Sequence, residues 1–333
     1  MPYRFLFIMD PIERLSPDKD TTFVFMLESQ ARGHALYYCN LADLFVTHGV
    51  AWARFRRVTV ARGDPHYQLR EERAEPLHWF EAVFMRKDPP VDLTYIFATY
   101  MLSLAAATGT FVFNDPRGLR EANEKLYALN FPAVIPATVV TCEIPRLKAF
   151  MEELGGQMII KPLDACGGAG VFHLHRSDRN LNALLEMTTD NGRRLIMGQR
   201  YLPEIRRGDK RLIVLNGEPL GATLRVPRED EHRGNIHVGG TCVKAGLTAR
   251  DRLIVESLAP RLRQDGLFFV GLDIIGDYLT EVNVTSPTGV QEINALDGVR
   301  LESAVIDFVE GQLNRRHGTT SAAIGSARHD THD

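Results

Sequence analysis

The hydrophobic pattern of residues 1–122 predicts strands that alternate with helices. A nearly continuous apolar run ends at Asp10-Pro11, and the next apolar positions recur at helical spacing until Gly33. The same pattern predicts strands at residues 3–9, 35–38 and 83–85 and helices at residues 20–32 and 94–107. This alternation predicts an open α/β domain, and ligands of such sheets bind beyond the carboxyl ends of the strands.

Two further units follow, so the predicted fold class is α/β in the mixed α+β sense. The second unit, residues 123–200, is introduced by a predicted helix at 119–131. It contains predicted strands at 137–141, 158–161, 170–173 and 195–199 and helices at 145–154 and 178–189. In residues 201–316 it predicts a hairpin of strands 210–215 and 220–226 around Asn216-Gly217, helices at 250–265 and 298–314, and a second hairpin between those helices. Residues 317–333 are predicted to form a disordered polar tail.

Charge balance and cysteine spacing narrow the functional classes. The chain has 39 Lys and Arg residues against 42 Asp and Glu residues, with no long block of either sign. We therefore expect no nucleic-acid partner and no membrane partner. The four cysteines are far apart and have no histidine at zinc spacing, so we expect reduced thiols and a cytoplasmic location. The apolar run before Asp10 is too short for a signal peptide or a membrane span.

The second predicted hairpin carries candidate metal ligands. Side chains alternate along a strand, so Glu281 and Asn283 share a face, and a turn at Gly276-Asp277 can bring Asp273 beside them. Two carboxylates and a carboxamide suit Mg²⁺, which prefers oxygen ligands and often shares its shell with phosphates. The alternative for each residue alone is the polar face of a half-exposed strand.

Small residues and lysines provide a candidate phosphate site. Lys161-Pro162 ends an apolar strand and Gly167-Gly-Ala-Gly170 follows, so backbone N–H groups could approach phosphate oxygens beside a lysine. The loop matches neither the Walker pattern nor the dinucleotide fingerprint, and a simple hairpin turn is an equal alternative. The strand-end segment Gln199-Arg-Tyr-Leu202 could offer backbone groups to adenine, with Asp209 or Lys210 near the ribose.

Two loops and one polar segment complete the candidate chemistry. The loops Asp18-Lys-Asp-Thr-Thr22 and Met85-Arg-Lys-Asp-Pro-Pro90 follow predicted strands, although the second also reads as a solvent turn. Residues 228–241 are polar and punctuated by glycine, which is typical of a lid over an active site.

These blocks occur in an order that resembles the ATP-grasp fold and, over residues 3–314, the bacterial glutathione synthetase family. The resemblance rests on a series of separate motifs: Met9-Asp-Pro11, Asp18-Lys-Asp20, Met85-Arg-Lys-Asp-Pro-Pro90, Asn123-Glu-Lys125, Lys161-Pro-Leu-Asp164, Gly167-Gly168, Gly208-Asp-Lys-Arg211, Arg233-Gly-Asn235, Val270-Gly-Leu-Asp-Ile-Ile-Gly276 and Leu279-Thr-Glu-Val-Asn-Val-Thr-Ser-Pro-Thr288. It implies an N-terminal α/β domain followed by a two-part ATP-grasp fold, of which residues 123–200 are the central part and residues 201–316 the catalytic part.

The resemblance also implies an activity. The family uses ATP to convert the cysteinyl carboxylate of γ-glutamylcysteine into an acyl phosphate, which the amine of glycine attacks to give glutathione, ADP and phosphate. The implied cofactors are ATP and Mg²⁺, with Mn²⁺ as an alternative, and members of the family are often homotetramers, which implies a homo-oligomer.

The resemblance assigns roles to the candidate residues. The implied catalytic residues are Arg211, Arg225 and Lys161, and the implied metal ligands are Asp273, Glu281 and Asn283. The implied nucleotide-binding residues are Lys125, Lys161, Gly167, Gly168, Gln199, Tyr201, Leu202, Asp209 and Lys210. The implied substrate-binding residues are Asp18, Arg86, Asp88, Arg233, Asn235 and Ser286.

One departure keeps alternatives open. The family usually has an arginine after the glycines that end the lid, whereas this chain has Thr241, and Arg233 or Lys244 could replace the missing cation. A ligase that joins other amino acids or peptides is one alternative, because substrate loops vary more than the phosphate machinery. A nucleotide-binding protein without ligase activity is another, although no candidate metal ligand or arginine is missing.

Overall fold

The N-terminal part of the chain forms a seven-stranded mixed sheet. The computed structural model describes residues 2–228 and 240–326, with side chains as far as Arg316. The strands run in the order β3-β4-β2-β1-β6-β7, and β5 pairs with the outer side of β4. Their bounds are β1 (Arg4–Ile8), β2 (Ala35–Cys39), β3 (Leu44–Thr47), β4 (Val50–Val60), β5 (Tyr67–Pro76), β6 (Ala82–Met85) and β7 (Phe111–Phe113).

The central strands of this sheet are parallel, and helices cover them. Strand β1 pairs in parallel with β2 on one side and with β6 on the other. The helices are α1 (Thr21–Ala31), α2 (Leu93–Ala107) and α3 (Pro116–Glu121). Asp20 and Asp92 accept backbone N–H bonds at the starts of α1 and α2, which fixes where these helices begin. The sequence predicted β1, β2, β6, α1 and α2, but it did not predict the antiparallel strands β3 to β5.

A four-stranded antiparallel sheet follows, in the order β10-β9-β11-β8. It contains β8 (Thr138–Thr141), β9 (Gln157–Pro162), β10 (Phe172–His175) and β11 (Ile196–Gln199), with helices α4 (Ile144–Glu153) and α5 (Leu181–Thr188). The helix predicted at residues 119–131 is wrong. Asn123 Oδ1 accepts the backbone N–H groups of Lys125 and Leu126, so this side chain forms a turn that ends the helical segment.

The last sheet has five strands in the order β14-β13-β12-β15-β16. Its elements are β12 (Asp209–Leu215), β13 (Glu218–Val226), β14 (Thr241–Lys244), α6 (Ala249–Gln264), β15 (Phe269–Ile275), β16 (Tyr278–Asn283), α7 (Val290–Asp297) and α8 (Leu301–Ser326). Gly298, with φ of 68°, separates α7 from α8, so the predicted helix at 298–314 begins at Leu301. Helix α8 continues to Ser326, into the segment 317–333 that the sequence predicted to be a disordered tail.

The first and third sheets share hydrophobic cores, whereas the second has its own. Leu6 and Val83 of the first sheet belong to the same buried cluster as Leu212 and Val270 of the third. Asn114 joins them, because its side-chain amide donates to the carbonyls of Phe269 and Val284. The second sheet packs on α4 and α5 around residues such as Ile160. Among the described helices, none is long and apolar enough to cross a membrane.

Candidate active site

Two clefts meet where the three sheets come together. The first cleft has a volume of about 120 Å³ and lies between the second and third sheets. The second has a volume of about 470 Å³ and opens between the third sheet and the loops that follow β1 and β6. Cys166, Gly167 and Glu281 line both clefts. A group bound in one cleft can therefore lie close to a group bound in the other.

The predicted metal hairpin lies at this junction. Strands β15 and β16 pair so that Asp273 lies opposite Glu281 and Gly271 lies opposite Asn283. Asp273 and Glu281 line the first cleft, and Glu281 and Asn283 line the second. The turn between the strands falls at Gly276 and Asp277, as predicted. The structure thus places all three predicted ligands on one hairpin at the boundary of the clefts.

The donor set on this hairpin fits a hard divalent cation. It has two carboxylates and one carboxamide oxygen, and Mg²⁺ is usually held by one or two carboxylates while phosphates and water supply its other ligands. In the described part of the chain, no group of three or more His, Cys, Asp or Glu side chains could hold a metal by itself. The hairpin therefore suits a metal shared with a phosphate better than a closed structural site.

Two arginines and two aspartates form a buried cluster beside the metal hairpin. Asp273 Oδ1 and Oδ2 accept from Arg211 Nε and Nη2 at 2.6 and 3.0 Å, and Arg225 Nη2 lies 3.0 Å from Asp273 Oδ1. Asp209 lies opposite Arg225 in the β12–β13 pairing, and its Oδ2 accepts from the same Nη2 atom. Both arginines line the second cleft, and Asp209 and Asp273, to which they bind, line the first, so the cluster connects the two clefts.

Burial and pairing shift the pKa values of the cluster. Burial raises the pKa of Asp209 to about 6, although Arg225 favours its charged form. Burial also favours neutral Asp273, but Arg211 and Arg225 outweigh that effect and hold the pKa of Asp273 below its usual range. Asp209 Oδ1 and Arg225 Nε are buried and have no protein partner among the described residues. These two atoms therefore have hydrogen-bonding capacity that no described protein group uses.

Both predicted phosphate lysines line the first cleft. Lys161 is buried, and its Nζ lies 3.3 Å from the carbonyl of Thr280. Burial lowers the pKa of Lys161, while the charge of Glu281 opposes that shift. Lys125 Nζ donates to the carbonyl of Ala165 at 2.5 Å and lies 3.1 Å from Glu281 Oε1. Lys125 belongs to the turn after α3, not to the helix that the sequence predicted.

The glycine-rich loop connects β9 to β10 and also forms a wall of the first cleft. Gly167 and Gly168 have φ values of 64° and 81°, in the left-handed region that favours glycine. The two interpretations of this loop are therefore compatible. It is a hairpin connection, and its backbone faces the cleft.

The strand-end segment closes the far end of the first cleft. Gln199, Tyr201 and Leu202, the candidates for contact with adenine, all line it. Gln199 Nε2 donates to Thr138 Oγ1 at 3.0 Å, and the ring of Tyr201 stacks on His173 with centroids 3.8 Å apart. This end is more apolar than the lysine end, which suits a flat heterocycle.

The structure does not bring Lys210 into this cleft. Side chains alternate along β12, so Asp209 and Arg211 face the cleft region while Lys210 points to the other face of the sheet. There Lys210 Nζ bonds to Asp251 Oδ2 at 2.5 Å, beside the start of α6. Only Asp209 of the two ribose candidates lies at the cleft.

The second cleft contains part of the predicted substrate set. Asp88 and Ser286 line it, whereas Asp18 is exposed beside the lining residues Lys19 and Asp20. The predicted residues Arg233 and Asn235, with most of the predicted lid, lie outside the described residues.

Arg86 lies behind the wall of the second cleft instead of lining it. Its side chain is only 4% exposed, and it donates to Thr22 Oγ1 and to the carbonyl of Pro287, both at 3.1 Å. Burial lowers the pKa of Arg86 to about 10, although Asp20 and Asp88 oppose the shift. Arg86 comes directly after the buried strand β6, which explains why its side chain stays inside.

Sequence reasoning missed two carboxylates of the second cleft. Glu124 lines it and accepts from Thr285 Oγ1 at 2.9 Å, and burial, followed by the charge of Glu281, raises the pKa of Glu124. Glu292 also lines the cleft, and its Oε2 is buried without a protein partner in the described chain. Glu124 is the middle residue of the motif Asn123-Glu-Lys125, so the sequence could have pointed to it, but only Lys125 of this motif was assigned a role.

Comparison with solved structures identifies the fold. D-cycloserine synthetase DcsG has the same fold with a TM-score of 0.64 and 16% identity, over 92% of this chain and 99% of that chain. The ATP-grasp ligase PsnB complexed with minimal precursor, Mg and ADP has a TM-score of 0.60 and 15% identity, over 93% of this chain and 98% of that one. The predicted ATP-grasp fold is confirmed, and its donor sets suit ATP and Mg²⁺.

Comparison with sequences identifies the family. The profile described as prokaryotic glutathione synthetase, N-terminal domain, matches residues 3–120, and the profile of its ATP-grasp domain matches residues 124–298. The glutathione synthetase of Synechocystis sp. is 46% identical over 92% of this chain and 99% of its own length. That of Gloeobacter violaceus is 48% identical over 92% of this chain and 96% of its own length. The chain belongs to the prokaryotic glutathione synthetase family and is an ATP-grasp ligase.

Proposed function

We propose that this ligase joins γ-glutamylcysteine to glycine with ATP through an acyl phosphate. The observation that carries the proposal is the meeting of the two clefts at Glu281 and at the Arg211–Asp273–Arg225 cluster. A nucleotide in the first cleft and a peptide carboxylate in the second would then present their reacting oxygens and phosphorus to the same cations. The similarity to curated glutathione synthetases at 46% and 48% identity supports this choice of substrates.

The first step is phosphoryl transfer. An oxygen of the cysteinyl carboxylate attacks the γ-phosphorus of ATP, and the bond to the β-phosphate oxygen breaks to release ADP. Both reactants are anions, so the step needs cations that hold them together. We assign Lys125 and Lys161 to the phosphates and Arg211 and Arg225 to the carboxylate. When bound at Asp273, Glu281 and Asn283, Mg²⁺ would neutralise phosphate charge, and Mn²⁺ could serve in the same site.

The second step forms the peptide bond. The amine of glycine attacks the carbonyl carbon of the acyl phosphate, phosphate leaves, and the ammonium proton is lost to the surroundings. Arg225 can hold the negative oxygen of the tetrahedral intermediate, because its Nε–H has no protein partner in the described structure. We assign Asp88 and Ser286 to binding of the substrates in the second cleft.

Phosphate release tests the choice of substrates. We expect rapid release only with γ-glutamylcysteine and glycine together, and much slower release when D-alanine or glutamate replaces glycine. Equal or faster release with another acceptor would favour the alternative of a ligase with a different amino acid or peptide. The absence of substrate-dependent release with any acceptor would favour a nucleotide-binding protein without ligase activity.

We also propose that the chain forms a homo-oligomer through α2. This helix has no charged residue, and its exposed face carries Leu93, Phe97, Tyr100 and Leu104, which are 71, 56, 56 and 42% exposed. A helix that is apolar on all sides is normally buried, and α2, with 15 residues, is shorter than a membrane span. A second copy of the same face fits best, because two-fold pairing places equal apolar stripes together.

Light scattering tests the proposed contact. We expect Phe97→Glu to lower the molar mass to that of a smaller assembly, because it places a charge in an apolar interface. Met187 of α5 is 62% exposed, so Met187→Glu is a matched control that should leave the mass unchanged. A monomeric wild-type chain, or a Phe97→Glu variant of unchanged mass, would contradict the proposal.

A further inference from the structure

A third cleft lies at the carboxyl ends of the central parallel strands, and neither the proposed reaction nor the family roles use it. It has a volume of about 260 Å³, slightly below the usual range for drug-sized ligands, so it suits a smaller molecule. It is lined by residues that come just after three strands: Asp10 after β1, Asn40 after β2 and Lys87 after β6. Asp92, at the start of α2, lines the remaining side. Strand β1 lies between β2 and β6, where the strand order reverses direction, and such points are the usual ligand sites of open α/β sheets.

The third cleft has polar groups of both signs that are available to a ligand. Lys87 Nζ uses two of its three donor positions, on Asp10 Oδ1 at 3.0 Å and on the carbonyl of Asp88 at 2.6 Å. Asp92 uses Oδ1 to accept from the N–H of Tyr95, and Asn40 uses its side-chain oxygen to accept from Tyr38. The third Lys87 proton, the Asn40 amide protons and Asp92 Oδ2 have no described hydrogen bond.

These groups define the chemistry of the ligand. The side chains of Lys87 and Asn40 are donors that match a carboxylate, and Asp92 and Asp10 match an ammonium group. Two acidic groups face one basic group, so a ligand with only negative charge would be repelled. Met9 and Leu41 supply apolar surface between the polar groups. The best match is a small zwitterion with a neutral or cationic side chain, which is a free α-amino acid.

Asp10 and Lys87 of the third cleft also hold a wall of the second cleft in place through hydrogen bonds. Asp10 Oδ2 accepts the backbone N–H of Asp88 at 3.0 Å, and Lys87 Nζ donates to the backbone carbonyl of Asp88. Asp88 and Pro89 line the second cleft, whereas Lys87 and Pro90 line the third. A ligand that draws Lys87 or Asp10 toward itself therefore acts on the backbone that positions Asp88.

We propose that the third cleft is a regulatory site for a free neutral or cationic α-amino acid, coupled to the peptide cleft through the segment 87–90. Binding there changes the affinity of the second cleft for its substrate, and by thermodynamic reciprocity the substrate changes the affinity of the third cleft by the same factor.

Binding measurements on the full-length chain test the site. Ligand-observed NMR with L-alanine and L-lysine, at saturating ADP and glutathione, should show saturable binding with a Kd on the order of 1 mM, since so few polar contacts are made. Succinate, which lacks an ammonium group, should not bind. No saturable binding of either amino acid would overturn the proposal.

Two conservative variants locate the binding. Asp92→Asn keeps an N-cap acceptor for α2 but removes the carboxylate, and Asn40→Asp keeps the acceptor for Tyr38 but repels a carboxylate. Each should weaken binding of L-alanine by at least about tenfold. Asp115 caps α3 outside the third cleft, so Asp115→Asn is a matched control and should bind normally. Equal affinity in the Asp92 and Asn40 variants would place the ligand elsewhere and overturn the proposal.

Calorimetry tests the coupling without relying on turnover. The affinity for γ-glutamylcysteine should change by roughly threefold or more when L-alanine is present, and this change should vanish in Asp92→Asn. An affinity that L-alanine leaves unchanged would overturn the regulatory role. If γ-glutamylcysteine itself fails to bind, the proposed substrate is wrong, while the NMR result on the third cleft stands independently.

Discussion

At the residue scale, Arg225 shows how a side chain is prepared for an anionic ligand. Its Nη2 atom bonds to both Asp209 and Asp273, and its Nε atom has no protein partner among the described residues. The two carboxylates fix the plane of the guanidinium, and that plane aims the remaining N–H group. A planar fork of this kind offers several directed donors, which an ammonium group cannot reproduce.

Replacement of Arg225 by lysine should therefore lower kcat by about 100-fold or more. The ammonium group keeps the positive charge, but it lacks the directed N–H donors that the guanidinium offers to the developing oxyanion. Steady-state phosphate release measures this effect. Arg250 donates from an exposed position to the carbonyl of Asp277, so Arg250→Lys is a control that should retain normal turnover. An Arg225→Lys variant with unchanged kcat would place this residue outside the reacting centre.

Glu281 lines both clefts at the same junction, and its carboxylate pairs with Lys125. Glu281→Gln should reduce turnover by about 1000-fold or more and leave the fold intact, since a neutral amide weakens the attraction for a divalent cation. Circular dichroism checks the fold, and titration of turnover with Mg²⁺ checks the site. Near-normal turnover at low Mg²⁺ would remove Glu281 from the metal site.

Several site residues could be predicted from strand alternation alone, and others could not. The period of two places Glu281 and Asn283 on one face, and the turn at Gly276 brings Asp273 opposite Glu281. The same period separates Lys210 from Arg211, but the sequence does not show which face meets the cleft. The burial of Arg86 could not be predicted, because a charged residue after a strand suggests exposure, whereas tertiary contacts bury it here.

At the element scale, the loop between β9 and β10 depends on its backbone conformation. Gly168 has a φ of 81°, where a side chain costs about 1 kcal/mol or more. Gly168→Ala should therefore raise the KM for ATP by roughly fivefold to thirtyfold, because the loop must be strained to line the first cleft.

A second glycine provides the control for this loop. Gly49 has a φ of 76° in the turn between β3 and β4, and an added Cβ there meets nothing within 4 Å. Gly49→Ala should lower the free energy of unfolding by about 1 kcal/mol, the same backbone cost as at Gly168, but leave the KM for ATP unchanged. An equal KM in the Gly168 and Gly49 variants would show that the loop conformation does not matter for ATP.

The elements that the sequence failed to predict share a physical cause. Strand β5 is largely exposed and carries a run of adjacent charged residues, so it lacks the apolar period that marks a half-buried strand. Strand β4 does alternate over part of its length, but neighbouring arginines at Arg56-Arg57 interrupt the pattern. The central strands β1 and β6 were predicted because both of their faces are buried, which makes them continuously apolar.

At the scale of the whole molecule, a buried carboxylate links the first helix to the last. Glu28 of α1 accepts from Arg32 Nε at 2.8 Å and from Ser303 Oγ of α8 at 2.9 Å, and it also pairs with Arg300. Burial by itself favours the neutral form, but these partners outweigh it and lower the pKa of Glu28. The stabilisation from Glu28 is thus present above the ordinary carboxylate pKa and is lost as the pH falls below it.

Glu28→Gln should lower the free energy of unfolding by about 1–3 kcal/mol at pH 7, because a buried network loses its charged acceptor. The difference between the variant and the wild type should shrink as the pH falls from 7 toward 3, and urea unfolding at several pH values measures it. Glu218 pairs with Arg263 on the surface, so Glu218→Gln should change little at any pH. A difference that stays constant with pH would mean that the charge of Glu28 does not stabilise the fold.

The thiol of Cys166, on the wall shared by the two clefts, can report whether a ligand occupies either cleft. It is exposed at that wall, whereas Cys39 is buried and Cys142 and Cys242 are half-buried. Burial, with the charge of Glu124 next in size, raises the pKa of the Cys166 thiol, so its labelling should be slow near pH 7 and faster as the pH rises. Either ADP or glutathione alone should slow the reaction, and Cys166→Ser should abolish it, so a single thiol would record the occupancy of both halves of the site.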